Sequence, residues 1–321
     1  MQSTQKKPAL LVGLVLVFML LFAACGSEDP ALGNSGSQPE PTATEEPAST
    51  PTPEPIAYPQ GASDVVVRIE HTGGFVPQEF LVTRLPLVSL YGDGRILTEG
   101  PQIMIYPAPA LPNLQMGTLN EEGIRMILKA AEEAGLLHGD KHYPLDMIAD
   151  AATTVFTVTA GGETHTVSVY ALDATGGPDS IGAPDLPADE LEARKKLAKF
   201  QAKLVDYMSW LPETAITAPQ TAYPIERLQV VSQPADLREI NDIETGEAEW
   251  PLDTPLAEIG EPFEFMEQAR CIVLEGDDLA AVLTALQDAN QLTRWQNSGE
   301  EYSLHIRPIL PDEQGCAQPQ P

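Results

Sequence analysis

The sequence predicts an α+β fold. Antiparallel hairpins and sheets pack against a few helices, after a disordered N-terminal tether, and the order of elements allows two similar strand–helix–hairpin subdomains. Three observations predict this. Runs of β-branched residues are separated by glycine turns rather than by helices, most clearly from Ala151 to Leu172 around Gly161-Gly162. Only a few segments carry apolar residues at spacings of three and four. Composition changes abruptly near residue 60, from Pro, Thr, Ser and Glu to patterned apolar sequence. The expected divisions are a signal peptide at 1–24, a tether at 25–60, a first α+β domain at 61–213, and a second domain or C-terminal extension at 214–321.

Lys6 and Lys7 precede an apolar run from Ala9 to Phe22, and Ala23-Ala24 precede Cys25. Positive charge, a short apolar core and small residues make a secretory signal. The run is short for a spanning helix, which needs about 20 apolar residues. With the cysteine directly after Ala24, the stretch resembles bacterial lipoprotein signals, departing from them in Phe22 where Leu is usual. The resemblance implies cleavage before Cys25 and acylation of its thiol, leaving the chain lipid-anchored on the extracytoplasmic side of the cell membrane. From Gly26 to Ala57 the chain has no Lys or Arg and is rich in Pro, Thr and Glu. Such a segment cannot bury enough apolar surface to offset its ordering entropy, and its prolines stiffen it into a spacer.

The folded part begins near Ser63. Val65 to His71 reads as a strand ended by Gly73-Gly74. Leu87 to Thr98 reads as a hairpin whose turn is Gly92-Asp93-Gly94, where Asp-Gly supplies the positive φ angles of a two-residue turn, with Leu90 opposite Leu97 and Tyr91 opposite Ile96. Pro101 to Pro112 is too rich in proline for a central strand and reads as an extended surface crossing. A helix follows, capped by Thr118 or Asn120, with Ile124, Ile127, Leu128 and Ala131 on one face. Gly135 stops it and Leu136 folds back on its last turn. The Gly161-Gly162 hairpin places Phe156 opposite Val167 and Val158 opposite His165, with Thr157, Thr159, Thr164 and Thr166 on a half-solvated face. A Gly/Pro/Asp loop runs to Pro187. Asp189 to Leu211 is a long helix with Leu197, Phe200, Leu204 and Leu211 inward and Lys195, Lys196 and Lys199 outward.

Pro212 to Pro262 is acidic and rich in proline. It holds one short strand, Arg227 to Val231, and is otherwise expected to wrap the surface, pinned by Trp250. Arg270 to Leu274 is a strand. Asp277 or Asp278 starts a helix with Leu279, Val282, Leu283 and Leu286 inward. Trp295 and Tyr302 to Ile306 form a hairpin around Asn297-Ser298-Gly299. Cys271 and Cys316 are an even pair in an oxidising compartment and are expected to form a disulfide that closes this last unit.

The whole pattern resembles an uncharacterised bacterial cell-envelope lipoprotein family. The matching pieces are His71 to Pro77, Tyr91 to Arg95, the Thr153 to Leu172 hairpin, and Arg307 to Cys316. The resemblance spans most of the chain from Val65 onward. It implies exported α+β domains and no known activity, because its pieces are largely turn chemistry.

Lys and Arg number 18 against 47 Asp and Glu, a formal net charge of −29. Nucleic acid is thereby excluded as a partner, since phosphate contacts need clustered Lys and Arg. Electrostatic adhesion to anionic head groups is excluded too, so the membrane is reached through the lipid on Cys25. No Gly-x-Ser-x-Gly elbow, phosphate loop or dinucleotide fingerprint is present, and no cofactor is expected. The weak metal candidates are His138, Asp140 and His142. They lie in a loop between Gly135 and Pro144, so their spacing does not place them on one helical face. A zinc site would also need a third nitrogen or sulfur ligand. The tract Asp242 to Glu249 fails as a calcium loop, because counting back from Gly246 gives Asn241, Ile243 and Thr245 where acids are required.

The expected function is that of a lipid-anchored exported cell-envelope protein with a binding, inhibitory or structural and assembly role, with an envelope protein or the cell wall as partner. Two alternatives compete. One is a metal-dependent envelope hydrolase using the His138/His142 loop. The other is the solute-binding subunit of an importer, which would need repeated parallel βαβ units in two lobes.

Overall fold

The described residues divide their strands between two sheets. The computed structural model describes residues 56–177, 186–235 and 245–317. The signal, Cys25 and the tether through Pro55 lie outside them, as do most of the loop before Pro187 and the first part of the tested calcium tract. The eight-stranded sheet has the order β5-β7-β6-β1-β2-β3-β4-β8, and the six-stranded sheet the order β10-β13-β14-β9-β12-β11. Helices pack on these largely antiparallel sheets, which is the α+β architecture read from the sequence.

In the first sheet, β1 (Val65–Gly73) pairs with β2 (Val88–Tyr91) and with β6 (Ala152–Ala160), and a bulge sits between Val65 and Val67. The hairpin of β6 and β7 (Glu163–Tyr170) has the expected register, Phe156 with Val167 and Val158 with His165. Gly161 and Gly162 both take positive φ, which a two-residue primed turn requires. The expected register of β2 and β3 (Arg95–Glu99) is corrected. Leu90 faces Ile96 and Ser89 faces Leu97. Of the turn residues only Gly94 has positive φ, so the loop is Gly92-Asp93-Gly94, a three-residue turn closed by a left-handed glycine. Gly94 N–H donates to the Tyr91 carbonyl at 3.0 Å, and Asp93 accepts from Arg95. The one-residue shift has a packing consequence. Leu90 and Ile96 join the core under the helices, whereas Tyr91 and Leu97 join a second cluster on the other face.

β4 (Leu114–Leu119) pairs with β3, and β8 (Ile216–Ala222) closes that edge. The chain passes from the first sheet to the second between Ala222 and Leu228. Between β4 and the next strands lies α2 (Glu121–Glu133), which follows the short α1 (Gln78–Thr83). Asn120 caps α2 by accepting from Gly123 N–H, while Thr118 lies in β4. At the other end Leu136 N–H donates to the Ala131 carbonyl and Gly135 N–H to that of Glu132, the crossed pair that a left-handed glycine makes possible. The short β5 (Lys141–Tyr143) lies parallel to β7. After α3 (Leu172–Thr175), α4 (Ala188–Val205) covers the same face as α2 with Leu197, Phe200 and Leu204.

The end of the expected tether belongs to the fold. Ile56 and Tyr58 pack partly buried against the main core, and the Ala57 carbonyl accepts from Gly161 N–H at 2.7 Å.

In the second sheet, β9 (Leu228–Pro234) runs between β12 (Arg270–Leu274) and β14 (Glu300–Pro308). β13 (Arg294–Asn297) pairs with β14 across Ser298-Gly299, β10 (Glu247–Glu249) lies parallel to β13, and β11 (Glu261–Pro262) pairs with β12. α5 (Gly276–Ala285) buries Leu279 and Val282. Trp250 lies edge-on to Trp295 with ring centres 6.2 Å apart, and so pins its part of the proline-rich stretch to this core. The expectation of a single strand between Pro212 and Pro262 is corrected, since β8, β10 and β11 lie there besides β9 and find partners in β4, β13 and β12. Both halves contain strand, helix and hairpin in that order. The β6–β7 hairpin joins its sheet through its first strand, and the β13–β14 hairpin through its second.

Candidate functional site

The sequence singles out His138, Asp140 and His142, and the structure sets His138 apart from the other two. His138 is exposed. Asp140 ends the loop before β5, and its carboxylate accepts from Thr166 N–H at 2.8 Å. His142 stands opposite Ser168 in the β5–β7 ladder, with Nδ1 and the Ser168 hydroxyl 2.7 Å apart. Asp140, His142 and Ser168 line an open depression of about 330 Å³ together with Lys141 and Thr166. A base within hydrogen-bond reach of a hydroxyl is the start of a nucleophile pair, but here both groups lie on an open strand face. Among the described residues no three His, Cys, Asp or Glu side chains are grouped to hold a metal ion. Asp146 and Asp150 add nothing to such a group, and His165 lies 3.9 Å from Glu163.

The expected pair Cys271 and Cys316 is bonded, with Cα atoms 5.7 Å apart. The tail leading to it does more than the sequence reading assigned to it. Leu310 enters the cluster of Leu85, Tyr91, Leu97 and Leu114 on the outer face of the first sheet. Asp312 receives both terminal nitrogens of Arg68, at 2.7 and 2.8 Å, and the Tyr91 hydroxyl at 2.7 Å. Arg68 Nε also donates to Ser89. Burial alone would raise the Asp312 carboxyl, but the hydrogen bonds and charge of Arg68, with the Tyr91 hydroxyl, outweigh it and hold the group below the usual carboxylate range. Tyr91 is pushed up, first by burial and then by the Asp312 charge it donates to.

The next residue faces the second sheet. Glu313 takes a two-pronged bond from Arg307 of β14 at 2.6 and 2.7 Å. Arg227 holds the tail backbone at Glu313 and Gln314, and Gln229 accepts from Cys316 N–H. Asp312 and Glu313, adjacent in sequence, thus tie the two sheets together through forked arginine pairs. α1 makes a further tie. Val82 packs against Val231, Phe263 and Met266, and the Val82 carbonyl accepts from Gln229. Nothing in the tail's composition marks this role. The only sequence signal is an acid pair held between Pro311 and Gly315.

Several buried and half-buried polar groups are structural. Arg194 is fully buried on α4. It donates to Glu190, to the Thr175 hydroxyl and to the carbonyls of Tyr170, Tyr143 and Pro144. Its place three residues before Leu197, on the inner stripe, was the available signal. Glu70, beside Arg68 on β1, is raised chiefly by burial. His71 and His305 are lowered by burial, and among the described residues their Nε2 atoms make no hydrogen bond. Trp210 Nε1 donates to the Lys203 carbonyl, with the Lys203 ammonium over its ring, so this tryptophan anchors the end of α4.

Among the described residues Phe80 on α1 and Val205 and Met208 at the end of α4 are exposed, and the other large exposed apolar side chains lie in connections at one end of the first sheet. Phe75 lies two residues past β1, Met147 lies in the connection that leads into β6, and Ile103, Met104, Ile105 and Tyr106 lie in the crossing from β3 to β4. Gly73 pairs with Ala152 and Glu99 with Leu114, so these connections leave from the same end. Ala57 joins the fold at the opposite end, beside the Gly161 turn. Among the described residues no helix is long and apolar enough to cross a membrane. No protein-family model, curated protein or solved structure matches this chain.

Proposed function

We propose that this is a lipid-anchored, exported cell-envelope protein whose folded part acts by surface contact rather than by catalysis. The observation that carries the reading is the set of exposed large apolar side chains at the sheet end remote from Ala57. Ile103 to Tyr106 are consecutive within it, and a folded domain that leaves a run of large apolar side chains in water commonly reserves them for a contact. The acidic remainder of the surface keeps the exported chain soluble. The His142–Ser168 pair supports a hydrolase less well, because both groups are open to water and Asp140 is engaged by the backbone. The ladders of both sheets are antiparallel apart from β5–β7 and β10–β13, an arrangement far from the parallel βαβ lobes of an importer subunit.

Two measurements test the reading. Cys25→Ser should abolish incorporation of labelled acyl chain and release the protein from membranes on detergent partitioning. A variant that stays membrane-bound overturns the anchor. Crosslinking of the intact protein in its own membrane should give adducts that are lost in Met104→Asp. Adducts unaffected by Met104→Asp but lost in His142→Ala, together with bound metal in the purified protein, would favour the hydrolase.

A further inference from the structure

The crossing from β3 to β4 ends in an uncharged apolar tip. From Gly100 to Asn120 the sequence holds no Asp, Glu, Lys, Arg or His, in a chain of net charge −29. Ile103, Met104, Ile105 and Tyr106 are consecutive, and they are 67, 97, 56 and 64% exposed. Both feet of the crossing are tied down. At one, Gly100 N–H donates to the Asn113 carbonyl at 2.7 Å and Asn113 Nδ2 donates to the Pro101 carbonyl at 2.8 Å. At the other, Gln291 N–H donates to the Ala108 carbonyl at 2.9 Å and Ala110 N–H to that of Ala289 at 3.1 Å. Pro101, Pro107 and Pro109 restrict the backbone between the feet. The tip is therefore held out before any contact is made, and little ordering entropy is lost on docking.

We propose that this tip is a membrane-contact element: the side chains of Ile103 to Tyr106 enter the interfacial layer of the bilayer that holds the lipid on Cys25. The inference rests on the lipid-anchor reading. A projecting tip without charge suits a bilayer, which accepts apolar side chains and a tyrosine ring without a shaped cleft. Only side chains enter. The irregular backbone stays in the polar layer, since unpaired backbone groups are costly in hydrocarbon.

The tether has the reach for this. The longest strands of the first sheet have nine residues, which at about 3.3 Å per residue is a span of about 30 Å from the tether junction to the tip. About 30 residues separate Cys25 from Ile56, and linkers of that length and composition have a mean reach of about 30 Å or more. A linker whose mean reach matches the span gives the second contact its highest effective concentration. The charge of the chain selects the lipid. Attraction comes from apolar burial alone, so neutral head groups favour insertion and anionic ones oppose it.

The test uses the full lipid-bearing protein in phosphatidylcholine vesicles. Met104→Cys carries a nitroxide, and Lys196→Cys on the exposed side of α4 carries the reference label. Electron paramagnetic resonance power saturation should place the label at 104 in an oxygen-rich, water-poor layer and the label at 196 in water. Ile105→Asp should reduce the inserted fraction at least about tenfold, because a carboxylate is strongly disfavoured in the membrane. Adding phosphatidylglycerol should reduce it as well, and salt should restore it. A label at 104 as water-accessible as that at 196, in protein that floats with the vesicles, overturns insertion and leaves the anchor standing. Dipolar broadening with shielding from both relaxants would mean that a second copy covers the tip, and would also overturn it. Protein that does not float with the vesicles overturns the anchor itself, and the proposal with it.

Discussion

Asp312 is where a single side chain matters most. It lies between the guanidinium of Arg68 and the hydroxyl of Tyr91, and the Arg68–Asp312 side chains are 13 and 21% exposed. Asp312→Asn leaves Arg68 without its counter-charge, which should reduce stability by about 2–3 kcal/mol in urea denaturation, below the figure for a wholly buried pair. The pH dependence has a definite sign. The carboxyl is held below its unfolded value, so its contribution is full above about pH 4 and is lost as pH falls through the folded value. Acid unfolding of Asp312→Asn should therefore be shallower below about pH 4; an unchanged slope would refute the pairing.

His305 gives a second window. It is half-buried on β14, lowered chiefly by desolvation and partly offset by Glu79 of α1. The facing strand β9 has no charged residue, while β14 itself carries Glu300, Glu301 and Arg307. Because the folded ring resists protonation, stability is full above the unfolded value of about 6.5 and declines as pH drops from there toward the folded value. His305→Gln should flatten the melting temperature across that window, and a variant as pH-sensitive as the parent would exclude His305 as the cause.

At the scale of elements, the tail from Ile309 to Cys316 is the piece whose removal should be felt furthest away. Its disulfide closes a loop with a sequence separation of 45, worth about 4 kcal/mol on the chain-entropy model. The bonds from Arg227, Gln229 and Arg307 would hold part of the tail in its absence. Replacing both cysteines by serine should therefore lower stability by about 2–4 kcal/mol. Hydrogen exchange should also rise at Arg68 and Tyr91, in the other sheet. Exchange confined to β12 and the tail would show that the tail does not couple the sheets.

For the whole molecule, the relevant boundary is where tether becomes fold. Deleting residues 26–55 from the anchored protein should move the melting temperature by no more than about a degree or two, because a sequence so rich in Pro, Thr and Glu has little apolar surface to bury. Extending the deletion to residue 60 removes the packing of Ile56 and Tyr58 and the bond from Gly161 N–H to Ala57. That longer deletion should produce a clear drop. Equal melting temperatures for the two deletions would mean that the docked residues contribute nothing.

Local chemistry was legible in the sequence. The Gly161-Gly162 turn allows one register, so Phe156 and Val167 meet as expected. The cap at Asn120, the stop at Gly135, the inner stripe of α4 and the pairing of Cys271 with Cys316 all follow from residue types at short range or from parity. The Gly92 to Gly94 turn marks the limit of that reasoning. Two- and three-residue loops both suit its composition, and the choice fell to the packing that puts Leu90 and Ile96 under the helices and Tyr91 on the other face. Only the tertiary structure decided the rest. Arg68 and Asp312 are 244 positions apart, and no local rule relates residues at that distance. Asp312 and Glu313 read as ordinary surface acids until the tail is laid between two sheets. The end of the first sheet that shows its apolar side chains was likewise unreadable, because exposure depends on which faces the rest of the chain covers.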